Sequence, residues 1–197
     1  MDGLKAAEAE QAIAQGRAKT GRSCAGCSMC CRLLTAPEIP KLKNGWCQHC
    51  RPGHGGCGIY LNRPQVCRDY ACVWLVNDQL GDEWRPDKSR IVVDFVPLAN
   101  NNRILRFSVD PRCPNRWEEP RYLRKIRELA LRCLKGELVG HLAGQMVLTV
   151  ISLNDRWTII LPHRELPYAP GNIVRLGENH FEFYPAVDAG KVTSLEE

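Results

Sequence analysis

Eleven cysteines occur in this 197-residue chain, and nine of them fall between Cys24 and Cys72. Clustered thiols do one of two things: they pair as disulfides, or as thiolates they hold a soft metal. Three features favour the metal. The count is odd, Cys30 and Cys31 are adjacent, and Met1–Arg22 has neither the apolar stretch nor the cleavage pattern of a secretory signal.

The spacing sharpens the expectation. The first group reads Cys24-x2-Cys27-x2-Cys30-Cys31. A two-residue spacer lets the backbone wrap one metal or cluster with both sulfurs pointing inward, and three cysteines at this interval open the bacterial ferredoxin run. Cys31 departs from that run by following Cys30 at once. Neighbouring side chains project in different directions, so these two are expected to serve different metals or different faces of one cluster. The second group is Cys47-x2-Cys50-x6-Cys57-x9-Cys67-x4-Cys72. Cys27, Cys30, Cys47 and Cys50 alone form Cys-x2-Cys-x16-Cys-x2-Cys, which lies within the zinc-ribbon window.

The wider pattern adds Cys57-Gly58-Ile59-Tyr60, Arg63-Pro64 and Cys67-Arg68-Asp69-Tyr70-Ala71-Cys72. Over residues 24–74 this resembles the CxxCxxCC family of zinc- or iron-chelating domains, and flagellin lysine N-methylases look similar over the same cysteines. The resemblance implies eight metal ligands: Cys24, Cys27, Cys30, Cys31, Cys47, Cys57, Cys67 and Cys72. Cys50 stands where that pattern has an apolar residue, which leaves the choice between Cys47 and Cys50 open. Eight thiolates exceed the four taken by one tetrahedral zinc or one [4Fe–4S] cluster, so two centres or one polynuclear centre are expected. Either an iron–sulfur cluster or zinc suits sulfur ligation, and the triple x2 spacing favours iron–sulfur. The implied function is metal binding, for structure, carriage or redox chemistry. The alternatives are a cluster-dependent modifying enzyme of lysine N-methyltransferase type and a zinc-ribbon interaction module for nucleic acid or protein.

Other residues divide between a role at this site and a plainer one. His49 and His54 are either ligands or solvated loop histidines. Gly55, Gly56 and Gly58 either let amides approach the Cys57 sulfur or simply form a turn. Arg63 and Arg68 flank Cys67 and either offset thiolate charge or make surface pairs. Tyr60 and Tyr70 are expected to shield the site. Cys113 and Cys133 lie far from the cluster, and Cys133 fits an apolar helix face. His141, His163 and His180 form no triad with a nucleophile. No phosphate-binding, dinucleotide, metalloprotease or radical S-adenosylmethionine motif occurs, so no catalytic residue is identified.

Composition sets bounds. At 44% hydrophobic and 25% charged the chain reads as globular, and no apolar run reaches the ~20 residues that span a bilayer. A cytoplasmic location, where thiols stay reduced, is expected. Eight thiolates holding two divalent ions change the formal charge of +5 by −8 and +4, to +1. The basic balance therefore does not argue for nucleic acid. The basic run Arg121–Lys135 lacks the interleaved aromatics of a nucleic-acid surface and is read as a solvated face, which leaves a protein partner open.

The elements that must position these cysteines form an α+β pattern. A helix is predicted over Leu4–Gln15, ended by Gly16–Gly21. Residues 23–88 form a loop-rich module with few aliphatic residues, held by metal in place of a core of its own. From residue 89 to 197, hairpins are predicted at Ile91–Val96 with Ile104–Val109 around Asn100–Asn102, at Met146–Leu153 with Trp157–Leu161, and at Ile173–Leu176 with His180–Tyr184. Asp110–Pro114 reads as a turn. Glu118–Lys135 reads as a helix with Leu123, Ile126, Leu129, Ala130, Cys133 and Leu134 on one face, stopped by Gly136. The sheet is expected to be small and antiparallel, packed on the module.

Overall fold

The computed structural model describes residues 2–36, 38–53, 56–97, 103–137, 144–168, 173–176 and 181–184. Six helices appear among them: α1 (Asp2–Thr20), α2 (Met29–Leu33), α3 (Gln65–Arg68), α4 (Val73–Val76), α5 (Pro86–Ser89) and α6 (Pro120–Leu134). The strands are β1 (Cys50–Arg51), β2 (Gly56–Cys57), β3 (Ile91–Pro97), β4 (Arg103–Val109), β5 (Leu148–Leu153), β6 (Arg156–Ile160), β7 (Glu165–Tyr168), β8 (Ile173–Leu176) and β9 (Phe181–Tyr184). The α+β class expected from the sequence is the one adopted.

The sheet differs from expectation in one pairing. Its order is β3-β4-β5-β6-β7, and β4 runs parallel to β5, with α6 as the crossover. A mixed sheet is therefore correct, not an antiparallel one. The reason shows in the burial: β5 begins with four consecutive buried residues, Leu148 to Ile151, and β3 does the same, the continuous burial of a strand covered on both faces. One face carries Val93, Leu105, Phe107, Ile151 and Ile160 into the main core, with α6, Trp84 and the Val73–Leu75 turn. The other gathers Ile104, Leu148, Val150 and Ile159.

All three predicted hairpins are formed, and β7 is a further strand that composition did not reveal. The tip residues Asn100–Asn102 lie outside the described residues. The turn at Asp110 closes by a Cys113 amide bond to the Asp110 carbonyl at 2.8 Å. On α6, Ile126, Leu129, Ala130 and Cys133 are buried as the periodicity requires, and Gly136 follows with φ +65°.

α1 continues past Gln15 to Thr20, and Gly21 at φ +66° ends it, its amide bonding the Arg17 carbonyl. Gly16 does not stop the helix; it lets α1 lie close against α4 at Val76. The end of α1 is then fixed by Arg22, which donates to the Trp74, Asn77 and Leu80 carbonyls and stacks over the Trp74 ring. This is what holds the start of the cysteine module against the core.

Candidate metal centre

Short elements carry the cysteines to one place. Cys24 and Cys27 lie on the turn after α1, where the Cys27 amide bonds the Cys24 carbonyl at 3.0 Å. Cys30 and Cys31 lie on α2, whose Met29 and Leu33 are buried against Val92 of β3. Cys47 is reached by the loop after α2 and is tied back by its amide to the Cys31 carbonyl at 3.0 Å. Cys57 belongs to the β1–β2 hairpin, Cys67 to α3, and Cys72 caps the start of α4.

These eight cysteines all line a single cavity of about 400 Å³. Its remaining walls are chiefly apolar, including Leu34, Ile39, Ile59, Val66, Trp74 and Val92. Cys50 is not among the lining residues. It pairs with Cys57 across the hairpin, and its thiol lies beside Ser28 and Cys31. Among the described residues no three His, Cys, Asp or Glu side chains are grouped as a ready site for one ion. The eight cysteines are instead spread along the wall of one larger cavity.

All eleven cysteines are free. Burial pushes the thiols of Cys24, Cys27 and Cys67 up, and Cys72 to about 12. Cys31 is raised first by its hydrogen bond with Cys30 and then by burial. Buried thiols without a cation stay protonated, since a desolvated anion is costly. Several donors nevertheless aim at sulfur. The His49 amide lies 3.4 Å from the Cys47 Sγ, the Met29 and Asp87 amides reach Cys27, and the Leu75 amide reaches Cys72. Amide donors to sulfur favour the thiolate and tune a metal bound to it.

Three cations also line the cavity. Lys41 donates to the Arg32 and Gly45 carbonyls, and burial lowers its basicity while the nearby Cys47, Cys31 and Cys30 work against that. Arg63 stacks over Tyr60 at 4.0 Å, and Arg17 donates to the Tyr60 hydroxyl at 3.4 Å. Both guanidinium groups act on Cys24. Two four-thiolate centres, of zinc or of oxidised [4Fe–4S], carry about four negative charges together, so cations facing the void suit that load. Lys41 and Arg17 carried no sequence signal, because each reaches the site only through the fold.

Tyr70 lines the cavity, and its buried hydroxyl has no hydrogen-bond partner. A sulfur acceptor in the void would satisfy it. Tyr60 stands half-open beside Cys24. His49 lines the cavity, whereas His54 and Gly55 lie outside the described residues, as do His141 and His180. Gly56 and Gly58 are tight turn positions: a Cβ at Gly58 would meet the Arg51 side chain at 2.9 Å. Arg68 turns away to Gln65 and Glu10, the plain surface role. Cys133 is fully buried in the main core and Cys113 lies on a shallow depression with Arg116, so neither reaches the cavity. On α6, Arg121, Lys125 and Arg127 are paired with Glu119, Glu128 and Glu165.

Among the described residues no helix is long and apolar enough to cross a membrane. In comparisons with known proteins no family model matches the chain, and neither a curated protein nor a solved structure matches it.

Proposed function

We propose that this protein binds iron as an iron–sulfur cluster, or zinc, through Cys24, Cys27, Cys30, Cys31, Cys47, Cys57, Cys67 and Cys72, as its resemblance to the CxxCxxCC family implies. The observation that carries this reading is the meeting of all eight thiols around one largely apolar void, from five separate stretches of chain. No packing requirement gathers eight cysteines in this way. Iron–sulfur chemistry would bring electron transfer or cluster-dependent reactivity; zinc would bring a closed structural site. The reading carries with it a reducing compartment such as the cytoplasm.

A zinc-ribbon module would draw on Cys50, which faces Ser28 and Cys31 outside the void. Serine substitution therefore separates the two readings: if the eight-cysteine site is right, Cys50→Ser keeps the wild-type metal content and Cys57→Ser lowers it. The primary test is metal and sulfide analysis, with a visible spectrum, of the full chain purified without oxygen. Iron with sulfide and a band near ~400 nm supports the cluster, and zinc near stoichiometry supports the alternative metal. Neither metal near stoichiometry overturns the proposal.

A further inference from the structure

Resting on that reading, we infer that the eight cysteines form two separate four-thiolate sites: Cys24, Cys27, Cys30 and Cys72 in one, Cys31, Cys47, Cys57 and Cys67 in the other.

Packing separates the sets. Cys24 and Cys72 both lie against the main core, and Cys27 and Cys72 both lie against the Met29–Leu33–Val92 cluster. Cys72 is within electrostatic reach of Cys24 and Cys27. These three sulfurs thus share one wall, the side that faces the sheet. Cys67, by contrast, has Cys31, Cys47 and Cys57 as its thiol neighbours. The Cys47 amide bond to the Cys31 carbonyl holds that group together from the backbone.

The vicinal pair is where the sets divide. Cys30 follows Cys27 at the x2 interval that lets three thiols wrap one centre, and Tyr70 lies within reach of Cys30 and Cys72 together. That assigns Cys30 to the wall with Cys72. Cys31, one residue on, is a neighbour of Cys67 and belongs to the other set. The two sites adjoin: the Cys30 and Cys31 thiols touch, and Cys24 is also within reach of Cys31. Lys41 lies beside Cys30, Cys31 and Cys47 and so spans the boundary, where a cation lowers the repulsion between two anionic centres. Adjacent centres of this kind suit electron transfer between them or transfer of metal from one to the other.

The test uses the full chain purified without oxygen, with bound metal and sulfide per chain as the readout and circular dichroism as the check on folding. A double variant within one set, Cys24→Ser with Cys72→Ser or Cys57→Ser with Cys67→Ser, is expected to keep half of the wild-type metal. A double variant across the sets, Cys24→Ser with Cys57→Ser, is expected to keep none. A folded within-set variant that loses all metal, or a cross-set variant that keeps half, overturns the division while leaving the metal-binding reading intact. A wild-type chain that binds no metal defeats the underlying reading instead. Should a variant not fold, the metal-free wild-type chain is titrated with cobalt(II) alone. Saturation at two ions per chain in thiolate-coloured sites supports two centres, and saturation at one overturns them.

Discussion

Gly16 and Val76 meet so closely that a Cβ built at position 16 lies 2.6 Å from the Val76 Cβ, nearer than real side chains approach. Gly16→Val must therefore push α1 off α4. Over-packing of this kind costs about 1–3 kcal/mol, more than the few tenths that valine regains over glycine in helix preference. The urea midpoint should fall with an unchanged slope. An unaltered midpoint would show that the two helices do not pack at this distance.

Cys133 tests whether a cysteine in this chain can be purely structural. It is fully buried on α6, and burial pushes its thiol up to about 11. Cys133→Leu should over-pack the core and lower stability by about 1–3 kcal/mol, while metal content per folded chain stays at the wild-type value. Loss of metal from a folded variant would contradict its placement in the core.

Metal affinity should rise steeply with pH. Burial holds Cys24, Cys27, Cys67 and Cys72 above the ordinary thiol value, so these groups enter binding protonated and must release their protons to the solvent. The raised values lie above the working range, so the dependence should persist between about pH 6 and 9. Zinc titrations against a competing chelator should show up to about four protons released per ion at a four-thiolate site. A binding constant independent of pH would argue against thiolate ligation.

Asp110 joins the cysteine module to the end of β4. Its fully buried carboxylate takes bonds from Arg112, and Arg32, the residue beside Cys31, lies 3.5 Å from it. Burial works to raise its pKa, but the Arg112 hydrogen bonds and the Arg32 charge outweigh that and hold it below the usual value. Its contribution is thus complete above about pH 4 and is lost as the pH falls through the lowered folded-state value. Asp110→Asn should cost about 2–3 kcal/mol at pH 7, and the gap to wild type should narrow below pH 4. A gap unchanged between pH 7 and pH 3 would refute the assignment.

Tyr70→Phe removes a buried hydroxyl that has no partner. The metal-free variant should be as stable as wild type or more so, by up to about 1 kcal/mol. The loaded variant should lose metal faster to a chelator and show a shifted visible band, because a donor to the sulfur has gone. Equal loss rates and identical spectra would mean that the hydroxyl does not face the bound centre.

Local pattern was enough where one physical effect dominated. The α6 face and the β3–β4 hairpin follow from periodicity, and Cys133 was legible as core from its place on that face. Cys47 could not be separated from Cys50 by spacing, since both fit a knuckle; in the fold Cys47 lines the cavity and Cys50 does not. Gly16 looked like a helix stop because its missing side chain serves a distant partner, Val76. The parallel pairing of β4 with β5 was hidden for a similar reason: an eight-residue apolar run looks alike in either sense, and α6 decides the direction. Lys41 and Arg17 are illegible as site residues because three-dimensional position alone makes them so.

Trp74 belongs at once to the cavity wall and to the main core, with Arg22 stacked on its ring. Its indole is therefore an optical probe set between the thiols and the sheet. An iron or cobalt centre in the void absorbs in the visible and near ultraviolet, so filling it should quench tryptophan emission, that of Trp74 on the cavity wall included, in proportion to occupancy and without any attached dye. Zinc, which does not absorb there, should leave the emission bright. Emission intensity on metal loading thus distinguishes the proposed iron–sulfur centre from zinc.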